Sequence, residues 1–332
     1  MLPYLIKRTA SLVGVLVALS ITLFALQEII PADPARAAVG ANAPRMVVEA
    51  KRKSMGLDQP LVTRYWRYVS GVMHGDLGES VHTHNPVAED LAHFIPASME
   101  LVLAALILGI VLGGALALAQ SGYPRFGGAL RLALIAATSA PIFLVGLLLL
   151  LLFWYRLGWL PGGGRIAPDD FRLGPTGFMV FDGILTGQPR LVASALKHLL
   201  LPAMTLALPI AVSVGRTLAS SLLDVYRQSY IRTARAKGLT EMVILLRHAL
   251  RNAAGPALSM LALQVALIFN NLLIVERIFS WPGLGLYTVQ AFSAADLPAV
   301  IGVALVVAGT YLGTAAIIDV IRATLDPRLG LR

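Results

Sequence analysis

Residues 216–256 read RTLASSLLDVYRQSYIRTARAKGLTEMVILLRHALRNAAGP, a basic stretch set between long apolar runs. Its first part puts Leu222, Val225, Tyr226 and Tyr230 on one helical face, with Asp224, Arg227 and Lys237 largely elsewhere. Gly238 then offers the left-handed conformation that ends a helix, and Thr240 is placed to cap the next one. The second part repeats the helical spacing with Met242, Leu245, Leu246, Ala249 and Leu250, leaving Glu241, Arg247, His248 and Arg251 toward solvent. Two short helices joined at a tight turn are predicted. A basic amphipathic pair between apolar runs is a handle that a membrane protein presents to the cytoplasm.

Composition agrees with the bilayer. Of 332 residues, 57% are hydrophobic and only 14% charged, and the mean hydropathy is +0.75, too little polar surface for a water-soluble globule. Six windows are long enough to cross about 30 Å of hydrocarbon as helices: 9–30, 99–120, 132–156, 198–219, 257–278 and 297–321. The first has a signal-peptide alternative, since Lys7 and Arg8 precede it and Ala35-Arg36-Ala37 follows it. Its apolar run exceeds the roughly 7 to 15 residues usual for such a region, which favours a retained span.

Charge orients the spans. With both termini inside, the cytoplasmic segments hold fourteen basic residues, Arg125, Arg131, Arg235, Lys237 and Arg328 among them, against Asp224, Glu241, Asp319 and Asp326, a net of +10. The other side carries thirteen basic and fourteen acidic residues, and seven of those thirteen lie in the long 31–98 segment, which translocates largely regardless of charge. The division predicts an N-terminal span (1–30), an external cap (31–98), a transmembrane core (99–322) containing the 216–256 loop, and a cytoplasmic tail (323–332). Basic residues beside membrane spans, without interleaved exposed aromatics, point to anionic lipid headgroups and away from nucleic acid.

The chain has no cysteine, so neither disulfides nor thiolate metal sites are available. Within 31–98, Met46 to Met55 looks helical and Gly75-Asp76-Leu77-Gly78 looks like a turn. The second external segment, 157–197, opens on Pro161-Gly162-Gly163-Gly164 and contains Asp169-Asp170, a loop with a short helix. His74, His82, His84 and His93 cluster in the cap, and His82-x-His84 could offer two imidazoles to a metal were that stretch extended. Histidine in exposed polar loops is ordinary, and no metal site is predicted. Phosphate-loop, zinc-helix and nucleophile-elbow motifs are missing, so any ATP chemistry belongs to another chain.

Gln264 and Asn271 are seven residues apart on one face of the fifth window, with Asn270 beside them. Amides at that depth need another helix or a watery path, and both readings stand. Glu276 and Arg277 end the window and are expected at the external interface. Trp281-Pro282-Gly283-Leu284-Gly285 reads as an interfacial re-entry loop suited to an external gate, with Trp281 and Tyr287 at headgroup depth.

Tyr230 to Gly238 (YIRTARAKG), then Leu246-Arg247-His248-Ala249-Leu250-Arg251-Asn252-Ala253, resembles the cytoplasmic loop of ABC-importer permeases of the dipeptide, oligopeptide and nickel type. The likeness continues through most of the chain. It includes Gly75-Asp76-Leu77-Gly78-Glu79-Ser80, Pro96-Ala97-Ser98-Met99-Glu100-Leu101, Lys197-His198 to Pro202, Glu276 to Gly285 (ERIFSWPGLG) and Asp326-Pro327-Arg328. Arg232-Thr233-Ala234 stands where the general permease loop has Glu-Ala-Ala, and His248-Ala249-Leu250-Arg251 where it has Ile-x-Leu-Pro, both as in the peptide-type branch.

The resemblance implies an all-α integral membrane protein with six spans of the type I ABC importer permease kind and both termini cytoplasmic. It implies half of a translocation pathway for di- or oligopeptides, shared with a second homologous permease. Two ATPase subunits and an external substrate-binding protein complete the implied complex. ATP and Mg would sit on the ATPase chains, with no cofactor, metal or catalytic residue on this chain. Tyr230, Arg232, Thr233, Ala234, Arg235, Ala236, Lys237, Gly238 and Leu239 would couple to the ATPases. Nickel, glutathione and opine importers resemble the same pattern. A stand-alone secondary transporter would show inverted repeats and charged mid-membrane helices, and a membrane enzyme would show convergent catalytic groups; the sequence shows neither.

Overall fold

The computed structural model describes residues 2–29, 34–40, 43–122, 140–168 and 174–325. Arg125, Arg131, residues 132–139 of the third window, Asp169-Asp170 and Asp326-Pro327-Arg328 lie outside the described residues. Those described form helices and connecting turns: α1 (Leu2–Ile29), α2 (Pro34–Val39), α3 (Arg45–Ser54), α4 (Leu61–Met73), α5 (Val87–Gly122) and α6 (Ile142–Arg156). Then follow α7 (Met179–Leu185), α8 (Pro189–Tyr226), α9 (Ser229–Ala236), α10 (Glu241–Ile278), α11 (Leu284–Ser293) and α12 (Leu297–Leu325). Among the described residues there is no strand, only a single bridge between Glu79 and Pro86.

Proline sets several starts. Pro44, Pro60 and Pro141 immediately precede α3, α4 and α6 with φ between −54° and −57°. A residue without an N–H loses nothing where the first-turn donors have no helical partner. Among the described residues four helices are long and apolar enough to cross a membrane: Val87–Gln120, Pro189–Tyr226, Glu241–Ile278 and Leu297–Ile317. Val13–Leu26 and Ile142–Arg156 are shorter apolar segments. The 99–120, 198–219 and 257–278 windows are thus the apolar middles or ends of longer helices, because helical backbone continues past the hydrocarbon-length run into flanking amphipathic turns.

The chain divides into two compact units, residues 1–94 with 287–312, and residues 95–286 with 313–332. In the first, α4 is tied to α1. Phe24 packs edge-on against Tyr65 at 5.5 Å between ring centres, and Arg64 grips Glu28 with both terminal nitrogens at 2.8 and 2.5 Å. After the predicted turn at Gly75, two buried carboxylates organise the stretch that leads to α5. Asp296 accepts from the Ser80 hydroxyl at 2.5 Å and the His82 amide at 3.1 Å. Asp90 accepts from Thr83 at 2.6 Å and from the Tyr287 hydroxyl at 3.0 Å. Burial, then the bond to Asp90, pushes the Tyr287 phenol well above its ordinary pKa, so it stays a donor. Tyr287 is 2% exposed and stacks on Phe94 at 5.0 Å, so it packs inside this unit and is not a headgroup anchor. His82-x-His84 lies on a turn, with His84 at φ 57°, and not on an extended stretch. Among the described residues no three His, Asp or Glu side chains are grouped to hold a metal.

In the second unit α8 is central and packs on α10, α7 and α6. Its crossing with α5 is made of small residues. A Cβ added at Gly109 would stand 2.8 Å from the Ile210 side chain, one at Gly113 3.0 Å from the Ala211 carbonyl, and one at Gly215 2.8 Å from the Gly113 carbonyl. Gly109-x-x-x-Gly113 facing Ala207, Ala211 and Gly215 is the small-residue pattern that lets backbones approach closely where no hydrophobic force drives helices together. Around it Leu101, Leu206, Ile210 and Leu222 are buried.

Gly113→Leu is expected to destabilise the purified protein by about 1 to 3 kcal/mol through overpacking. Gly114→Ala, whose added methyl meets nothing within 4 Å, is expected to leave thermal unfolding unchanged. Equal melting of both variants would show that the crossing is looser than described.

Candidate functional site

The 216–256 stretch folds differently from a pair of short helices. α8 runs through it to Tyr226, the chain turns at Arg227 and Gln228, and only α9 is short. The second amphipathic segment is the beginning of the 38-residue α10. The predicted apolar faces are corrected too. Ile231 (0% exposed) and Ala234 (7%) anchor α9, whereas Tyr230 is exposed. Over residues 241–257 of α10 the buried positions are Ile244, Ala253, Ala257 and, as expected, Ala249, while Met242 and Leu246 face out. The cause is a π-helical turn over Ile244–Ala249, whose extra residue shifts the next buried position from four to five along. Leu222, Ile231, Ala234, Ile244, Ala249 and Ala253 belong to one buried cluster.

Gly238 is left-handed, with φ 76°. Its N–H reaches the Arg235 carbonyl at 2.9 Å, and Leu239 N–H reaches the Ala234 carbonyl at 3.3 Å, the paired bonds of a Schellman ending. Thr240 holds the N-cap position of α10, but its side chain makes no capping bond. The turn is closed by side chains instead. Arg235 donates from Nε and a terminal nitrogen to the two Glu241 carboxylate oxygens at 2.7 and 3.1 Å, and its guanidinium lies 5.7 Å over the Tyr226 ring. The bond to Glu241 pushes the Arg235 pKa up from an already high value. In solvent such a pair contributes little stability; it sets the angle between α9 and α10. Arg232, Thr233, Arg235, Ala236, Lys237, Gly238 and Leu239 are all exposed, so the short helix presents a cationic outer face on a fixed mount.

At the far end of α10, Glu276 is enclosed by protein. It is 0% exposed. One carboxylate oxygen accepts from the Ser98 hydroxyl at 2.5 Å and the other from the Gly285 N–H at 2.5 Å. Ser98 Oγ in turn accepts from Leu284 N–H at 2.7 Å. Trp281 is 1% exposed and donates from its indole to the Ala97 carbonyl at 2.9 Å, so it is a core residue and not a headgroup anchor. The glycines of the loop follow from this node. A Cβ at Gly283 would collide with the Glu276 carboxylate and Ser98 hydroxyl, and one at Gly285 would stand 2.7 Å from both Glu276 Oε2 and the Leu273 Cα. Beside it, Arg165 bonds Glu100 at 2.5 Å and the Gly177 carbonyl at 2.9 Å, with its guanidinium 5.6 Å over Trp281.

The three amides part company. Gln264 is buried and donates to the Pro209 carbonyl of α8 at 3.2 Å. Asn271 bonds back to the Leu267 carbonyl at 3.4 Å and lines a cavity of about 190 Å³ with Thr205 and Pro209. Asn270 is exposed. Sequence reading missed Glu276, Ser98 and Glu100 as organising groups, although Ser98, Glu100 and Glu276 all fall in the stretches that carried the resemblance.

Residues 93–331 match the family described as binding-protein-dependent transport system inner membrane component, and residues 1–102 match its N-terminal counterpart. The chain is 38% identical to the probable D,D-dipeptide transport system permease protein DdpB of Escherichia coli strain K12, covering 98% of this chain and 96% of that one. It is 36% identical to the di/tripeptide transport system permease protein DppB of Pseudomonas aeruginosa, covering 99% of each. It is 32% identical to the glutathione transport system permease protein GsiC of Salmonella paratyphi A, again covering 99% of each.

Glu276→Leu leaves the Ser98 hydroxyl and the Gly285 N–H buried without their acceptor, at about 1 to 3 kcal/mol for each group. A clear fall in the melting temperature of the purified protein is expected, with a smaller fall for Glu276→Gln, which keeps one carbonyl acceptor. Wild-type melting of Glu276→Leu would show that the carboxylate does not hold the loop.

Proposed function

Because the chain belongs to the binding-protein-dependent transport system inner membrane component family, we propose that it is the permease subunit of an ATP-driven ABC importer for short peptides. The observation that carries the substrate class is similarity over nearly the whole chain to relatives named for D,D-dipeptide, di/tripeptide and glutathione transport, cargoes that share a short amide-linked backbone. The protein is a multi-pass inner-membrane component of a transport system, and transport, not catalysis, is the work of its family.

In this reading six spans cross the membrane with both termini cytoplasmic, supported by the excess of basic residues in the segments then placed inside. A second homologous permease completes the pathway, an external binding protein delivers peptide, and two ATPase subunits bind ATP and Mg. Residues 230–239 dock on an ATPase subunit. The support is physical: α9 has a buried face that fixes it to its own domain, an exposed cationic face, and a clasped turn that transmits displacement to α10. Asn270 and Asn271 line the path, whereas the bond from Gln264 to Pro209 favours a helix-linking role for that amide. Trp281, Pro282, Gly283 and Gly285 form the external gate loop, held closed by the Glu276 node.

Topology is open to a direct check because the chain has no native cysteine. Single cysteines at the exposed positions Ser54, Ser229 and Ser293 are expected to react with a membrane-impermeant thiol reagent in intact cells, except at Ser229. Labelling at Ser229 would reverse the orientation.

The activity is tested by ATP-driven uptake of radiolabelled L-alanyl-L-alanine and D-alanyl-D-alanine into proteoliposomes holding the importer with its own subunits and binding protein. Saturable uptake that unlabelled dipeptide competes away is expected, and its absence would overturn the peptide reading. In the same assay Gly238→Pro, which cannot adopt a positive φ and lacks the donor to Arg235, and Arg235→Glu are expected to cut transport per ATP hydrolysed at least tenfold. The charge swap Arg235→Glu/Glu241→Arg restores the clasp but not the cation on α9. Recovery in the swap assigns Arg235 to the turn; continued loss assigns it to docking.

A further inference from the structure

The first unit contains a cavity of about 620 Å³, well within the roughly 300 to 1,000 Å³ usual for small-ligand sites. Phe24, Leu77 and Ile301 give it an apolar wall. Among the charged residues that line it, Lys51 and Arg64 pair with Glu79 and Glu28, whereas Arg67 and Asp76, both exposed, hold only neutral partners. Arg67 donates to the Met55 carbonyl at 3.3 Å and the Gln59 side chain at 2.7 Å, both neutral, and meets no carboxylate among the described residues. Its guanidinium lies against Gly56, whose φ of 67° and missing side chain leave room for it. Asp76 accepts one N–H, from Gly78 at 2.9 Å, and pairs with no cation among the described residues.

A cation and an anion free of ionic partners beside an apolar wall are complementary to a small zwitterion with apolar substituents. A guanidinium fork recognises a planar carboxylate better than it does a neutral carbonyl. We propose that this cavity binds a free short peptide, its α-carboxylate at Arg67, its α-ammonium at Asp76 and its side chains against the apolar wall. The inference rests on the short-peptide reading above and adds to it a site on the permease itself, in the first unit and apart from the amides of α10.

The test uses the complete importer in lipid nanodiscs with the binding protein omitted, and measures equilibrium binding of radiolabelled L-alanyl-L-alanine and D-alanyl-D-alanine. Saturable binding of at least one is expected, weakened about tenfold or more by Arg67→Gln and by Asp76→Asn, as for loss of a charge-assisted bond. The C-amidated dipeptide is expected to bind weakly and to ignore Arg67→Gln, and the N-acetylated one to ignore Asp76→Asn. The amidated and acetylated probes on wild-type protein keep the test decisive should a variant fail to assemble. No saturable binding, binding indifferent to both variants, or a phosphatidylethanolamine molecule retained at the site that neither dipeptide displaces would overturn the proposal. Uptake by the wild-type importer with its binding protein runs in parallel. Uptake without binding at this cavity overturns this site alone, whereas absence of uptake overturns the peptide reading together with it.

Discussion

A carboxylate cannot be taken out of water unless hydrogen bonds replace its solvation, and that constraint at Glu276 shapes much of the second unit. The last turn of α10 carries the acid inward, so α5 must supply the Ser98 hydroxyl and the loop after α10 must fold back to supply the Gly285 N–H. Folding back that tightly excludes side chains at 283 and 285 and drives Trp281 into the core, where its indole needs the Ala97 carbonyl. The composition of the 281–285 segment therefore follows from the bonding of one buried carboxyl group. A loop held by polar bonds can also be released as a unit, in a way that a loop held by packed side chains cannot.

The other end of α10 is built on the opposite principle. Arg235 and Glu241 sit in solvent, where their attraction is largely offset by hydration, and the energy that positions α9 comes from burying Ile231 and Ala234 against Leu222, Ile244 and Ala249. The ion pair and the left-handed Gly238 select one geometry among those the packing permits. That separation leaves the outward face of α9 free to be cationic without compromising its mount.

Much of this was legible in the sequence. Apolar runs located the four described helices long enough to cross a membrane, and glycine located the turn at 238. What was not legible has physical causes. Hydropathy windows stop where polar residues begin, although α5, α8 and α10 continue as helices well beyond those points. A strict 3.6-residue period cannot anticipate the π turn at 244–249, where Ala249 is buried as expected but Ile244 joins it and Met242 and Leu246 face out. The burial of Glu276 was missed because an acid at the end of an apolar run is usually solvated, and only the partners at 98 and 285, distant in sequence, show that this one is not. The Gly109-x-x-x-Gly113 pattern was present as a signal and needed only Ala207, Ala211 and Gly215 as its counterpart.

Both anchoring acids, Glu241 and Glu276, lie on one helix of 38 residues, about 57 Å of continuous backbone at 1.5 Å per residue. In the importer reading, the cytoplasmic clasp and the external loop are therefore the two ends of a single covalent element. The helix is not uniform: the π turn and Pro256 fall in its first half, where missing or displaced backbone bonds lower resistance to bending. From Ala257 to Glu276 no such interruption occurs, and Gln264 pins that stretch to α8 at Pro209, itself a position where α8 lacks a backbone donor. Compliance is thus concentrated near α9 and stiffness near the loop. A displacement at the clasp would be taken up first by bending over residues 244–256 and passed on through the stiffer half, so that the Glu276 node receives rotation about the Gln264 contact more readily than translation along the helix.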